Sequence, residues 1–438
     1  MPRKCRAQPW IPTFGILALL IALLAPAAAA AAAGAGLGAL QADLAHQMAL
    51  AGPADGAYVY DITAKKPLFS ERASVTRPPA SVEKLYTSAA VLDRMGPEAR
   101  LTTSVYGAGQ LLPGGTWEGS LYLRGGGDPT FGSRDFILSH YGGLGASINA
   151  LTVQLVRQAG IHHITGSVYG DEGFFDTRRG EPSSGYGFDP FLEGVLSGLA
   201  FNRGEMLGHG AHAPAAFAAH ALWGALKADG VSIRGASGTA STPAGAIPLT
   251  SVPSPTVAQL LGLMLPPSDN FFAETLVKDL GALYGGGGTT ARGAAVVTSA
   301  ISSTMGFTPS VVDGSGLSRA DHTSPLQVVT LLSRLAGTPA GQVLREHLAV
   351  AGRSGTLEKR MRGTAAQSHC QGKTGTLTGA SNLVGYCQAA GGQEIAFAIF
   401  NDGISTEAAH VFQDHIAISI ARSQITSAEL ARASSGRP

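Results

Sequence analysis

Cysteine is scarce in this sequence, and clustered metal ligands are missing with it. The chain of 438 residues has three cysteines, which are Cys5, Cys370 and Cys387. His209, His212 and His220 lie in an alanine-rich stretch without a cysteine or carboxylate at ligand spacing. Zinc sites need four such ligands, or three and a water, so the sequence predicts neither a metal site nor a cofactor.

Three further features are lacking. No P-loop lysine follows the glycines of 125–128, so this segment is interpreted as the turn that ends a strand rather than an anion-binding loop. The net charge is only +1, which gives no reason to expect nucleic acid as a partner. After residue 33, no segment is apolar for long enough to cross a membrane.

The N-terminus has the pattern of a secretory signal peptide. An apolar run, Phe14–Ala25, follows a basic segment and precedes the small residues Ala27–Ala33. We expect residues 1–33 to be removed, which lowers the net charge to −2 and leaves no stable membrane span. An uncleaved anchor is the alternative, because the alanines extend the apolar stretch. Cys5 precedes the apolar run and is therefore no lipid-attachment site.

The rest of the chain predicts a mixed α/β (α+β) protein of more than one domain. Alternating apolar and polar residues predict strands at 101–107 and 119–124, and turn residues are dense between such segments. Helical spacing dominates before this region and again from about 250. Ser324-Pro325 predicts the N-cap and first position of one of these later helices. We therefore predict a catalytic domain made of 34–98 and 246–425, a β-rich insertion over 99–245, and a disordered tail over 426–438.

The first candidate motif is Ser81-Val82-Glu83-Lys84, at the start of a predicted helix. Residues three apart lie on one helix face, so the Lys84 amine can take the proton that makes the Ser81 hydroxyl nucleophilic. Burial would keep this amine neutral by lowering its pKa. The dipole of the helix would stabilise the developing oxyanion. Taken alone, the pattern also fits an ordinary helix start with a surface lysine.

The second motif, Ser268-Asp269-Asn270, follows two prolines and is predicted to lie between two helices. Ser268 would relay a proton between Lys84 and a leaving amine. Asn270 would hold Lys84 and a substrate carbonyl. Taken alone, the motif fits an N-cap for the next helix better than a catalytic role.

The third motif, Lys373-Thr374-Gly375-Thr376, lies in a predicted strand. Lys373, Thr374 and Thr376 are predicted to bind a terminal carboxylate, and Gly375 to leave space for the substrate. The backbone N–H groups of Ser81 and Thr376 are candidates for an oxyanion hole. A hairpin strand with an exposed lysine is the structural alternative.

Thr378-Gly379 predicts a two-residue turn that pairs residue 377 with residue 380. In this register Cys370 lies directly opposite Cys387, within disulfide distance and on the strand face opposite Lys373. Export permits such a bond. Two free buried thiols are the alternative, since a longer loop would change the register.

The three motifs together, in this order, resemble those of penicillin-binding proteins and class A β-lactamases. With Arg77–Leu85, Leu121–Thr130, Asp313–Arg319 and Gly372–Leu377, the chain resembles the serine D-alanyl-D-alanine carboxypeptidases of the penicillin-binding protein 4 type. The resemblance runs from about residue 40 to 420.

This resemblance implies a penicillin-recognising transpeptidase/β-lactamase-like fold, with an antiparallel sheet, a helical subdomain and an accessory domain inserted between the first two motifs. It also implies peptidoglycan stem peptides as substrate, β-lactams as inhibitors and a periplasmic location. The insertion is expected to be smaller than in the large members.

The expected activity is cleavage of D-Ala-D-Ala through an acyl-enzyme on Ser81, with endopeptidase cleavage of cross-links by the same groups. A β-lactamase is one alternative, although no clear Glu-x-x-x-Asn loop is present for deacylation. A wall-binding or β-lactam-sensing module without turnover is the other.

Overall fold

The computed structural model describes residues 36–206, 209–210 and 212–435. The predicted signal peptide, 1–33, lies outside these residues. The strands, in chain order, are β1 (Gly56–Asp61), β2 (Lys66–Glu71), β3 (Thr102–Leu112), β4 (Thr116–Arg124), β5 (His163–Ile164), β6 (Val168–Asp171), β7 (Glu205–Met206), β8 (His209–Gly210), β9 (Ser232–Ile233), β10 (Ser237–Thr239), β11 (Ile247–Pro253), β12 (Ala349–Val350), β13 (Cys370–Leu377), β14 (Ala380–Gln388) and β15 (Glu394–Asp402). The α-helices are α1 (Leu37–Ala51), α2 (Lys84–Arg94), α3 (Arg134–Tyr141), α4 (Ile148–Val153), α5 (Pro214–Ala228), α6 (Val257–Met264), α7 (Asn270–Tyr284), α8 (Thr290–Met305), α9 (Pro325–Leu335), α10 (Pro339–Glu346), α11 (Thr406–Arg422) and α12 (Ser427–Ser435).

An antiparallel sheet with the strand order β12-β13-β14-β15-β1-β2 forms the centre of the catalytic region. The two edge strands of this sheet are β12, from the C-terminal half of the chain, and β2, from near its N-terminus. The strand β14 is buried from Ala380 to Cys387, as a strand covered on both faces must be. The sheet therefore has two cores, one on each face.

The first core holds the helical subdomain, with apolar side chains from α2, α6, α7, α8 and α9 packed against Val384 and Tyr386 of β14. The helix α9 begins as predicted, because Ser324 caps it and Pro325 occupies its first position. The second core lies on the other face, where α1 and α11 cover Leu383 and Cys387. Within the described residues, no helix is long and apolar enough to span a bilayer.

The predicted hairpin register is the one observed, with Leu377 opposite Ala380 and Cys370 opposite Cys387. The structure joins the two cysteines by a disulfide. Both sulfurs lie in the second core, and Lys373 lies on the other side of its strand, opposite Val384.

The tail beyond residue 425 was expected to be disordered, but residues 427–435 form the helix α12. Thr426 and Glu429 cap it reciprocally, since each side chain accepts from the backbone N–H of the other. Leu430 is buried in the second core, and Glu429 also accepts from the Leu37 backbone N–H at 3.2 Å. The Thr-x-x-Glu pattern at 426–429 is the local sequence signal for this helix, although the residues around it are mostly polar or small.

The insertion has its own sheet, with the order β10-β6-β4-β3-β11, and the short strand β5 pairs with both β4 and the short strand β9. It also contains the helices α3, α4 and α5, which the β-rich prediction lacked. In α5, Ala215, Ala218, Leu222 and Leu226 are buried at helical spacing, a pattern hidden by the many alanines around it.

The insertion ends later than predicted. The strand β11, Ile247–Pro253, pairs antiparallel with β3, so it belongs to the sheet of the insertion although it follows residue 245. This strand contains Pro248 and Pro253, and its edge position is where a sheet tolerates proline. We therefore place the boundary after Pro253.

Candidate active site

Ser81 lies in a short 3₁₀-helix, Ala80–Glu83, that leads into α2. Ala80 has a left-handed backbone with φ of +49°, a conformation that is costly for a residue with a side chain. Asn382 of β14 holds this bend, because its Nδ2 donates to the carbonyl oxygens of Pro78 at 3.0 Å and Pro79 at 2.8 Å. The central sheet thus fixes the turn that presents Ser81.

The Lys84 amine is buried and has three partners. Its Nζ lies 3.0 Å from Ser81 Oγ, 2.6 Å from Asn270 Oδ1 and 2.8 Å from the Ser315 carbonyl oxygen. Burial lowers the pKa of Lys84 to about 8, and this effect outweighs the opposing influence of the nearby carboxyl groups. An amine with this pKa is partly neutral near physiological pH.

Ser268 lies in the connection between α6 and α7, as predicted, with φ of +70°. Its Oγ accepts from Lys373 Nζ at 2.8 Å, and this amine also donates to the Thr374 carbonyl oxygen at 2.9 Å. Burial, with the charge of Lys84 beside it, holds the pKa of Lys373 well below its ordinary value. In the described part of the chain no hydrogen bond joins Ser268 to Lys84, so the direct partner of Ser268 is Lys373.

The strand β13 has one edge that is largely open. Its neighbour β12 pairs only with Gln371 and Gly372, so residues 373–377 pair with β14 alone. Thr376 is exposed, whereas the Thr374 hydroxyl lies 2.8 Å from that of Thr356. An extended peptide can add to such an edge.

Gly375 has a different role from the one predicted. A Cβ at this position would lie 2.5 Å from the Pro79 carbonyl oxygen and 3.2 Å from Ala80 Cβ. The missing side chain therefore lets the strand approach the turn before Ser81, and the space is filled by protein rather than by substrate. This contact brings Thr376 next to the turn that carries Ser81.

Sequence reasoning missed the turn 313–318, although Asp313–Arg319 contributed to the family resemblance. Its Ser315 carbonyl is the third partner of Lys84. Two carboxyl groups hold the turn, because Glu274 accepts from the N–H of Ser315 at 2.8 Å and Asp313 accepts from that of Gly316 at 2.6 Å. Gly316 has φ of +80°, and a Cβ there would lie 1.9 Å from the Ala80 carbonyl oxygen. Only glycine fits at this position.

Four buried carboxyl groups surround this turn, those of Glu83, Glu274, Asp313 and Asp321. Burial raises the pKa of each of them, to about 8 for Glu274 and to about 11 for Asp321, and the charge of Asp313 adds to the effect at both. Asp313 is the best candidate for the ionised member, since three backbone N–H groups donate to it. Glu274 and Asp321 are then mainly protonated at neutral pH.

This cluster makes stability depend on pH. A carboxyl group whose pKa is raised on folding binds more protons in the folded state. The folded protein therefore loses stability as the pH rises from the unfolded pKa of this group to its folded pKa. For Glu274 that window runs from about 4.5 to about 8. We expect Glu274→Gln to remove a slope of about 1 kcal/mol per pH unit. Melting temperatures of the wild-type protein and the variant between pH 5 and pH 8 measure this difference in slope. An equal decline in melting temperature in both proteins would contradict the prediction.

The family model for the D-Ala-D-Ala carboxypeptidase 3 (S13) family matches residues 38–187 and 198–423. The D-alanyl-D-alanine carboxypeptidase of Actinomadura sp. (strain R39) is 30% identical and covers 85% of this chain and 82% of its own length. Carboxypeptidase DacB of Mycolicibacterium smegmatis is 28% identical, over 76% of this chain and 73% of its own.

Solved structures share the fold. Penicillin-binding protein 4 from Haemophilus influenzae superposes with a TM-score of 0.70 at 18% identity, over 85% of this chain and 97% of that one. The predatory peptidoglycan endopeptidase Bd3459 from Bdellovibrio bacteriovorus gives 0.50 at 16% identity, over 79% of this chain and 85% of that one. With the family model matching most of the sequence, the chain belongs to the D-Ala-D-Ala carboxypeptidase 3 (S13) family of serine peptidases.

Proposed function

We propose that this protein cleaves D-Ala-D-Ala stem peptides of peptidoglycan with Ser81 as nucleophile and Lys84 as its base. The observation that carries the assignment is the set of partners around the Lys84 amine. Asn270 Oδ1 and the Ser315 carbonyl oxygen can only accept hydrogen bonds, whereas the Ser81 hydroxyl can also donate one. When Lys84 is neutral, its N–H groups satisfy the two carbonyl oxygens and its lone pair faces the Ser81 hydroxyl.

The reaction then proceeds in two halves. Lys84 takes the Ser81 proton while Oγ attacks the carbonyl carbon of the penultimate D-alanine, and the N–H groups of Ser81 and Thr376 stabilise the oxyanion. The C–N bond breaks, and Ser268 gives a proton to the departing D-alanine and is resupplied by Lys373, its neighbour. Between the two halves Lys84 releases to solvent the proton that it took from Ser81, and Lys373 regains from solvent the proton that it passed to Ser268. Water then attacks the acyl carbon while Lys84 takes a proton from it, and that proton passes to Ser81 Oγ as the acyl bond breaks.

The substrate would be held by the edge of β13. Its backbone can pair with an extended peptide, and Lys373, Thr374 and Thr376, which lie along this strand, are the candidates to bind the terminal carboxylate. β-Lactams would acylate Ser81 through the same contacts; a β-lactam complex is known for the penicillin-binding protein 4 of Haemophilus influenzae. The N-terminal pattern of the sequence supports export to the periplasm, where such substrates occur.

Purified protein incubated with peptidoglycan fragments tests the assignment. We expect loss of one alanine from pentapeptide monomers, splitting of D-alanyl cross-linked dimers, or both, detected by mass. The Ser81→Ala variant should yield neither product. Inactivity of the wild-type protein on both substrates would refute the proposal. Rapid turnover of penicillin without a lasting adduct would indicate a β-lactamase instead.

A further inference from the structure

The insertion contacts the second motif through one buried arginine. Arg203 and its neighbour Asn202 both have left-handed backbones, with φ of +59° and +50°. A guanidinium nitrogen of Arg203 forms an ion pair with Asp269 Oδ2, and the other oxygen of this carboxylate caps α7 by accepting from the Phe272 N–H at 3.0 Å. Asp269 stands between Ser268 and Asn270, so the ion pair is made at the centre of the motif.

The surroundings of Arg203 hold it in one orientation. Its guanidinium lies over the rings of Tyr141, Phe271 and Phe272 at 5.4–5.7 Å, and its Nε donates to the Tyr141 hydroxyl at 2.9 Å. The residue is only 9% exposed. A charge buried this far is stable only when it is paired and hydrogen-bonded. Asp269 is its buried partner, whereas the carboxylate of Glu193, 3.6 Å from Nη1, is largely exposed.

Arg203 is also linked to the motif indirectly, through the segment around residues 190–193. Its Nη1 donates to the Glu193 carbonyl oxygen at 3.2 Å, just after the 3₁₀-turn Pro190–Leu192. In the middle of this turn, the Phe191 carbonyl oxygen accepts from Asn270 Nδ2 at 2.8 Å. Arg203 therefore supports both residues of the motif that follow Ser268.

Together these contacts hold the side-chain amide of Asn270 in one orientation. A carbonyl oxygen can only accept, so Phe191 binds the NH₂ end of this amide and leaves Oδ1 pointing at Lys84. If the amide were reversed, its NH₂ group would face the amine of Lys84, and two donors would oppose each other. The side-chain geometry of the catalytic lysine thus depends on a contact supplied by the insertion.

We propose that Arg203 is a positioning residue for the acylation step, which it serves by fixing Asp269 and Phe191 and, through them, the amide of Asn270 that orients Lys84. This inference rests on the proposed function of Ser81 and Lys84. It gives the insertion a role in the chemistry of the site, in addition to any role in shaping the cleft.

The experiment measures the rate constant for acylation of Ser81 by a fluorescent penicillin, and kcat and KM on a peptide ending in D-Ala-D-Ala. We expect Arg203→Met to lower acylation about 10- to 100-fold, mostly through kcat, because small displacements of catalytic groups have effects of this size. Arg203→Lys keeps the charge and should recover part of the loss. Arg360→Met is the matched control, since Arg360 forms a comparably buried ion pair with Asp414 on the far side of the central sheet.

A double-mutant cycle separates positioning from a general loss of stability. In an Asn270→Ala background, Arg203→Met should change acylation by less than about threefold, because the group through which it acts is gone. Multiplicative losses would overturn the inference, as would wild-type acylation by Arg203→Met. If Arg203→Met does not fold, Arg203→Lys decides, and wild-type acylation by that variant overturns the inference. Failure of the wild-type protein to be acylated would instead refute the proposed function itself.

Discussion

Replacing Ser81 with alanine is expected to abolish covalent labelling by penicillin and to lower peptide cleavage by about 10⁴-fold or more. In the proposed mechanism the Ser81 hydroxyl forms the acyl bond, and alanine has no group that could replace it. Lys84 and Asn270, which surround it, form no stable ester with either substrate. Gel fluorescence with a labelled penicillin and mass analysis of peptide products measure the two losses.

The fold should survive this change, because Ser81 is partly exposed and alanine is tolerated in a helical turn. Ser303→Ala is a suitable control, since its hydroxyl contacts only the backbone of its own helix, at Ala300. Covalent labelling of the Ser81→Ala protein at the wild-type level would show that the nucleophile is another residue.

Replacing Lys84 with methionine is expected to lower the rate of Ser81 acylation by about 10³-fold, the usual size of a general-base effect. Methionine fills much of the same volume without an amine, so Ser81 would keep its place and lose its proton acceptor. Lys278→Met is the matched control, because Lys278 is equally buried in the helical subdomain but pairs with Asp176. It should lose stability and retain acylation.

The pH dependence of acylation identifies the base more specifically. Since the base must be neutral and the pKa of Lys84 is about 8, the rate should rise with pH up to about 8 and then level off. At pH 6 about one molecule in a hundred has the neutral amine, so the rate should be about 100-fold below its plateau. A rate independent of pH between 6 and 8 would exclude Lys84 as the base.

Much of the catalytic region was predictable because its signals are local. The turn at Thr378-Gly379 set the register of β13 and β14, and Ser324-Pro325 marked the start of α9. Contacts between residues far apart in the chain were not predictable in this way. Nothing near Ser315 in the sequence indicates that its carbonyl binds Lys84, since that contact depends on how α2 packs against the turn 313–318.

The sequence predicted the wrong role for Gly375 and gave no signal for Arg203. Gly375 was expected to make room for substrate, but a short motif does not show which partner occupies the space beside a missing side chain. Arg203 carries no motif at all. Its importance follows from a left-handed backbone and from a partner, Asp269, that lies 66 residues away in the sequence.

The second core lies at both ends of the described chain and on the side of the sheet opposite the cleft. The helices α1, α11 and α12 lie together on one face of the central sheet, and the Leu37 N–H contacts Glu429, so both ends of the described chain converge there. Lys84 and Lys373 face the opposite side. If residues 1–33 stayed in place as the uncleaved anchor, the Gly36 end would lie on the far side of the sheet from the cleft. The cleft of an anchored protein would then face away from the membrane, and the protein released by cleavage would have no such constraint.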